Sequence, residues 1–583
     1  MARELRPAGV PGLPSVPDDR DLAGTPALDQ ADGSPERRRA GRLSLLASCV
    51  VAVGVPVAYL ATSWNSLTLP FWFNEYWRAY FISEGSGWWQ SLKVDGAPFP
   101  AGWYFMERFA GEVFGSTELV LRLPTAIFLP IASLLLLLLA RRWMPLPAAL
   151  AVALVGTLTG DLLSYSVQLS EYVIDAAAVC AIVLLHELGD DANGDPQRRR
   201  RLFLCYAGMA VACLFSTPVV LVAGPLLVLD VVRDLRTRAL GRRTIAAVAA
   251  GTVALVHLAV FVLRQNALTK SDYWDPQFLP RHGGLGHQIS FVYDGLRGFV
   301  VGPFTDSYNA AQGWSVPAGL TTALIATWAV LLALGIVVAG RSLRGRSLLA
   351  GLGGSLLLTL VASALRLWPF GFVRVNLYEV PLLVLLAGIG ATGSVRWTRE
   401  RRSARRGSHS MVRRGGLGAI GAALALVGLA GLLLAGLFEV VSYHQLRAID
   451  SVGYGARIRA GVAQVRQEAG PNDAVIIAGS MAIQGWQYYG YEYRGSAVDA
   501  GPNVPAGRVL YVVDHGSPTI TRFIRRLHPA AVYLYVPAGT DLTEIRQDEQ
   551  AASRGGICRL GATSELIDSG LLIDIGSAGC PAG

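Results

Sequence analysis

The chain has 583 residues, of which 52% are hydrophobic and only 16% charged, and its formal net charge is +9. Soluble domains carry about a quarter charged residues, so this composition excludes an ordinary soluble enzyme. The positive charge does not indicate nucleic acid either: only two lysines are present, Lys93 and Lys270, and the arginines cluster between apolar blocks.

In chain order, residues 1–43 are rich in Pro, Gly, Asp and Arg without periodicity, which predicts a disordered tail. Apolar blocks long enough to cross a bilayer follow at about 44–64, 117–140, 146–164, 170–188, 202–216, 218–233, 244–264, 316–340, 347–366, 374–394 and 415–442. The fold expected is therefore a polytopic α-helical membrane protein of about eleven transmembrane helices. The fifth and sixth blocks are short and parted only by Thr217-Pro218, a candidate kinked or re-entrant element.

Placing the N-terminus in the cytoplasm sorts the charge. Arg141/Arg142, Arg198 to Arg201, Arg233 to Arg243, Arg341 to Arg346 and Arg396 to Arg414 then all fall on the cytoplasmic side, facing anionic lipid headgroups, while the alternate loops are poor in Lys and Arg. Loops 65–116 and 265–315 and the segment 443–583 are thereby expected outside, within a plasma-membrane protein whose membrane domain spans 44–442. In 443–583, the runs 475–478, 509–513 and 531–536 read as buried strands alternating with helical patterns near 455–469 and 518–527, giving a small extracytoplasmic α/β domain. Cys49, Cys180, Cys205 and Cys213 lie in apolar blocks and read as small buried side chains. Cys558 and Cys580 lie in the polar C-terminal part, where a location outside the cytoplasm favours a disulfide.

The 65–116 loop begins Leu69-Pro70-Phe71-Trp72-Phe73-Asn74-Glu75-Tyr76 and is crowded with aromatics, a composition that favours short amphipathic helices on the membrane surface. It continues through Asp95 and the turn Pro98-Phe99-Pro100 to Phe114-Gly115, Glu118 and Arg122-Leu123-Pro124. Later come Tyr165-Ser166-Val167-Gln168-Leu169-Ser170-Glu171-Tyr172 with Asp175, then Phe215-Ser216-Thr217-Pro218, then Trp368-Pro369-Phe370-Gly371 with Arg374. Taken in order over about residues 44–394, these segments resemble the GT-C superfamily of membrane glycosyltransferases, specifically bacterial relatives of protein O-mannosyltransferases and lipid A aminoarabinose transferases.

The resemblance implies a GT-C-like membrane domain that transfers a sugar from a polyprenyl-phosphate donor to an extracytoplasmic cell-envelope acceptor, which is a glycan, a lipid or a protein. Membrane lipids and the polyprenyl-linked sugar are the implied partners, and nucleic acid is not. It admits a divalent cation, although no His/Asp cluster in the sequence demands one. The catalytic carboxylate falls at the start of the first outside loop, where the family's usual Asp-Glu is Asn74-Glu75; Gln168 likewise stands at a family Glu position. Three readings stay open: Glu75 is the base, another acid (Asp95, Glu84 or Glu171) serves, or the fold persists as a non-catalytic lipid- or glycan-binding or assembly protein. For the phosphate, Arg374, Arg122 and Arg366 are the candidates, because a guanidinium stays charged and binds bidentately. Asn74, Gln168 and Tyr172 complete the expected substrate-binding set. A transporter or flippase calls for matched broken helices in two halves, and only Pro218 marks a candidate break.

Overall fold

The computed structural model describes residues 35–71, 73–83, 99–192, 199–238, 240–262, 272–302 and 318–406, together with five strands and isolated positions in the C-terminal part. The described residues of the membrane part are mainly helical. Helix α1 (Pro35–Thr62) leads into the short α2 (Trp64–Thr68), α3 (Phe73–Ser83) and α4 (Ala101–Phe114). Then come α5 (Glu118–Ala140), α6 (Leu146–Thr157), α7 (Gly160–Ser166), α8 (Tyr172–Ala192), α9 (Arg199–Phe215), α10 (Val220–Arg236) and α11 (Arg242–Val262). After a 3₁₀ turn at Asp272–Gln277 follow α12 (Gly284–Val301), α13 (Ala318–Ala339), α14 (Leu343–Ala364), a second 3₁₀ turn at Arg374–Glu379, and α15 (Val380–Arg406).

Seven of these helices are individually long and apolar enough to cross a membrane, or eight if α6 and α7 are taken as one broken span. The protein is thus a multi-pass membrane protein, though eleven spans are not established. Helices α9 and α10 have 17 residues each, and the block at 415–442 lies outside the described residues. The block at 146–164, expected as one straight span, is bent by 64° between α6 and α7. Thr159 adopts an extended backbone at that break and restarts the helix, which carries Asp161 in its first turn. At Pro218 the chain instead separates two distinct helices.

Burial ranks the helices. The apolar windows of α8 and α15 are 83% and 89% buried, so these two form the middle of the bundle, whereas α1, at 17%, turns most of its surface outward. An apolar outward face is the normal state of a helix against lipid. Helices α13 and α15 cross where Gly335 and Gly390 meet, and a Cβ on either would overlap the other helix's backbone. Helix α5 starts with Thr117, whose Oγ1 accepts from the Val120 N–H at 3.4 Å, and tolerates Pro124 and Pro130 because neighbouring helices enclose it.

The loops sorted to one side by their charge meet at one end of the bundle. Arg344 donates to the Arg142 carbonyl oxygen and pairs with Asp191, and Arg243 pairs with Asp190, joining the connectors after α5, α8, α10 and α13. The opposite end gathers α2 to α4, the α7–α8 connector, α12 and the turn at 368–372. In the C-terminal part, β1 (Ala474–Ile477), β2 (Leu510–Val512), β3 (Ala531–Pro537), β4 (Thr563–Ile567) and β5 (Gly570–Ser577) form one sheet in the order β2-β1-β3-β5-β4. Strands β2 and β3 flank β1 in parallel, while β5 runs antiparallel to both β3 and β4. The three strands expected from sequence are β1 to β3. The β4–β5 hairpin was not anticipated, and the helical patterns at 455–469 and 518–527 fall almost wholly outside the described residues, as do Cys558 and Cys580.

Candidate functional site

Two residues expected to act on substrate are turned toward each other. Glu75, in the first turn of α3, is 1% exposed, and Arg122, one turn into α5, is fully buried. The guanidinium grips the carboxylate bidentately, with Nε to Oε1 at 2.8 Å and Nη2 to Oε2 at 2.7 Å. Its remaining N–H groups reach the carbonyls of Ser66, Leu67, Leu69 and Pro70, the acceptors left over where α2 ends. The Phe71 ring lies 4.8 Å from the guanidinium carbon. Glu75 Oε1 also accepts the Leu169 N–H at 2.5 Å. Three donors and burial remove Glu75 from the reach of an acceptor, and Arg122 has no N–H left for a phosphate.

The same pattern repeats along the α7–α8 connector. Arg78 of α3 binds Glu171 at 3.0 Å and lies over the rings of Phe99 and Tyr172, both within 6 Å. Burial works against the Arg78 charge, but Glu171 overrides it and raises the guanidinium above its ordinary range. Thr125 of α5 contacts the Ser170 carbonyl at 3.1 Å and Glu107 Oε1 at 2.9 Å, and receives the Trp103 indole N–H at 3.2 Å. Glu107 is fully buried on α4, and desolvation lifts its carboxyl well above the usual carboxylate range, only partly opposed by the Thr125 hydroxyl. Leu169, Ser170 and Glu171 are therefore held one after another by Glu75, Thr125 and Arg78.

The helix that precedes this clamped connector, α7, borders a cavity of about 360 Å³. Its lining includes Asp161 and Tyr165 from α7, Asp294 and Arg297 from α12, and Phe372 and Arg374 from the turn before α15. Arg374 is aimed by the turn preceding it. The Asn376 amide donates to the carbonyls of Pro369 and Gly371 at 3.0 and 2.8 Å and accepts the Trp368 indole N–H at 2.8 Å. Gly371 sits at φ 102°, a left-handed conformation that favours glycine. Helix α12 lies across this turn with Gly295 and Gly302 facing the rings of Phe370 and Phe372 so closely that side chains there would collide, and with Gly298 close against the Phe372 backbone.

Of the expected substrate-binding residues whose side chains are described, only Arg374 lines the cavity. Tyr172 is buried beneath Arg78 and packs edge-on against Tyr165, ring centroids 4.7 Å apart. Gln168 is half-buried in the connector, its N–H on the Tyr165 carbonyl at 3.3 Å. Arg366 pairs instead with Asp275 and stacks on Phe278. The Asn74 side chain, Glu84 and Asp95 lie outside the described residues. Asp161, Asp294 and Arg297 were missed. The signal was nonetheless present: Asp294 and Arg297 are the only acid and the only arginine of α12, three residues apart on one face, and Asp161 is the only acid in its apolar block.

At the opposite end, His186, Asp190 and Asp230 bring ligand atoms within 4.8 Å of one another, a spacing suited to a metal ion. Arg243 lies among them, binding Asp190 at 2.8 Å and also Asp230, while Tyr206 donates to Asp230 at 2.5 Å. The guanidinium supplies the positive charge a cation would bring. Around the cavity, no comparable set of three ligands is found among the described residues.

No protein-family model matches the sequence, and no curated protein matches it significantly. Solved structures do match in fold. ArnT from Cupriavidus metallidurans in the apo state covers 91% of this chain and 100% of its own, with a TM-score of 0.52 at 14% identity. The same protein bound to undecaprenyl phosphate gives 0.54 at 14% identity, over 91% and 99% of the two chains. The archaeal oligosaccharyltransferase AglB from Archaeoglobus fulgidus, in complex with an inhibitory peptide and a dolichol-phosphate, matches at 11% identity over 92% and 75%, with a TM-score of 0.47. The chain therefore shares the membrane fold of ArnT.

Proposed function

We propose that this protein is a membrane glycosyltransferase that moves a sugar from a polyprenyl-phosphate donor to an extracytoplasmic cell-envelope acceptor, at the cavity between α7, α12 and the 372–374 turn. The observation that carries this reading is the convergence of two guanidinium groups, Arg297 and Arg374, with two carboxylates, Asp161 and Asp294, on one cavity of about 360 Å³. That volume suits a sugar phosphate, and cavities of this size commonly hold small ligands. A fold shared with ArnT, solved with undecaprenyl phosphate bound, agrees with a lipid-phosphate ligand.

In this reading Arg374 and Arg297 hold the phosphate and stabilise its growing charge as the bond to the anomeric carbon breaks. Asp161 takes the proton from the acceptor hydroxyl as its oxygen attacks that carbon from the opposite face, inverting it. Asp161 is preferred over Asp294 because it sits on α7 with Tyr165, the helix that runs into the clamped connector, whereas Asp294 lies on the outer helix and receives the Ser290 hydroxyl at 3.3 Å. Glu75 and Arg122 then position the connector. The proposed step uses no cation.

Sequestration of Glu75 favours one rival, a lipid-binding protein without transfer activity. Purified protein in nanodiscs, given undecaprenyl phosphate and then undecaprenyl-phosphate sugars, separates the two. Binding that is lost in Arg374→Ala, with turnover lost in Asp161→Asn, supports the enzyme; binding without turnover of any donor supports the rival. Undiminished binding in Arg374→Ala sinks both.

A further inference from the structure

The C-terminal part touches the membrane part where the connector clamp begins. Tyr488 is 3% exposed, and its hydroxyl donates to the Ser116 carbonyl at 2.5 Å, in the turn between α4 and α5. Its ring meets Phe71 edge to face, with centroids 5.0 Å apart and planes at 74°. Phe71 is the fully buried ring lying 4.8 Å from the Arg122 guanidinium carbon. Arg122 holds Glu75, and Glu75 holds the Leu169 N–H. A continuous series of directional contacts thus runs from Tyr488 through Phe71, Arg122 and Glu75 to Leu169, in the connector that follows α7. A second contact, Arg459 to Glu118 at 3.4 Å, lies at the rim, with Arg459 58% exposed.

We propose that Tyr488 is a positioning residue for the cavity: by docking on Phe71 and Ser116, the C-terminal part fixes the Arg122–Glu75 pair and so holds the connector that anchors the C-terminal end of α7, the helix carrying Asp161 and Tyr165. The catalytic consequence rests on the proposed transfer reaction; the mechanical one does not. Each contact in the series is geometry-dependent. An edge-to-face ring pair depends on the tilt of both rings, and a cation over a ring depends on that ring staying in place. Removing the Tyr488 ring admits water beside Phe71, at the edge of an ion pair whose strength depends on its being dry. The phosphate grip comes from other elements, α12 and the 372–374 turn, and is not expected to change. The rim pair between Arg459 and Glu118 is exposed and contributes little.

The test is hydrogen exchange and steady-state kinetics on the full chain in nanodiscs. Tyr488→Ala is expected to speed amide exchange across residues 167–171 about tenfold, because local opening sets that rate. It is expected to lower kcat about tenfold while leaving the Kd for undecaprenyl phosphate within about twofold, a split that general loosening of the fold does not produce. Tyr488→Phe keeps the ring and restores connector exchange and kcat to within about threefold of wild type, and Arg459→Ala leaves both unchanged. Wild-type exchange at 167–171 in Tyr488→Ala overturns the proposal, whatever happens to turnover. If Tyr488→Ala does not fold, Phe71→Leu carries the same test: faster connector exchange supports the proposal and unchanged exchange overturns it. A wild-type protein that transfers no sugar defeats the transfer reading, while the exchange measurement still decides the positioning role.

Discussion

Replacing Glu75 with glutamine separates a base from an anchor. The substitution keeps the side chain's shape and removes its charge. It leaves the fully buried Arg122 with four carbonyl partners and no counter-charge. Breaking one partner out of a buried ion pair costs about 3–5 kcal/mol. The four carbonyls still solvate the cation, so the lower end, about 3 kcal/mol, is the expected figure, equivalent to roughly two decades in an equilibrium constant. The Leu169 N–H loses its carboxylate acceptor at the same time. Amide exchange at Leu169 is therefore expected to rise about a hundredfold in E75Q, with turnover falling alongside it. Asp161→Asn is expected to abolish turnover with Leu169 exchange unchanged. The anchoring role is refuted if E75Q abolishes turnover while Leu169 stays as protected as in wild type, the outcome that a catalytic Glu75 requires.

Arg374→Ala and Arg297→Ala should each weaken undecaprenyl phosphate binding about tenfold to a hundredfold, since one charged hydrogen bond contributes about 1.5–3 kcal/mol; titration in nanodiscs measures it. Gly371→Ala forces a side chain into a left-handed backbone at φ 102°, and should cost about 1–2 kcal/mol and lower phosphate affinity by turning Arg374, read by thermal unfolding and the same titration. Glu107→Gln tests a pH dependence. Burial raises the Glu107 carboxyl well above its ordinary value of 4.5, so the folded state binds the proton more tightly than the unfolded one. Stability contributed by this group is complete below that ordinary value and is lost as pH rises toward the folded value. E107Q, which cannot ionise, should gain thermal stability over wild type at pH 8 and show little gain at pH 4. Arg243→Ala leaves Asp230 buried without its guanidinium and should cost about 3–5 kcal/mol; added Zn²⁺ should restore part of that in thermal unfolding, because His186, Asp190 and Asp230 then stand open to an ion.

The helical framework was legible because lipid and the hydrophobic core both demand apolar blocks, and Arg-rich connectors punctuate them. Ten of the eleven expected blocks coincide with helices, so composition located the elements well. Breaks inside a block were less legible. The 64° bend at Thr159 carries no proline, only a capping-type residue before Asp161, while Pro218 was the more conspicuous mark. The segments holding the Glu75–Arg122 pair and Arg374 were picked out through resemblance, but Asp161, Asp294 and Arg297 lie outside them, and the different surroundings of the residues within them were not legible. Arg122 and Arg374 look alike in sequence, each near the end of a span. Their difference is one of neighbours: the end of α2 surrounds the first with carbonyl oxygens, and the Asn376-braced turn points the second at a cavity. No spacing rule contains that information.

Partnering also explains why the missed residues matter. At the cavity end, Glu75, Arg78, Arg122 and Glu171 neutralise one another within the protein at 2.7 to 3.0 Å. Desolvating such pairs costs free energy, which the complex recovers as directional contacts on three successive connector residues. The charges that face the cavity are of another kind: Asp161 and Arg374 are half-buried, and Asp294 and Arg297 are exposed on α12. A ligand entering there meets two cations that bind phosphate and two acids that repel it. Only a molecule presenting phosphate and hydroxyl groups at separate points satisfies both sets. A sugar phosphate does so and inorganic phosphate does not. Arg374→Ala should thus reduce affinity for both ligands, whereas Asp161→Asn should strengthen inorganic phosphate binding and leave that of a sugar phosphate weaker or unchanged. Equal strengthening for both in Asp161→Asn would remove the acid from the sugar's side of the cavity.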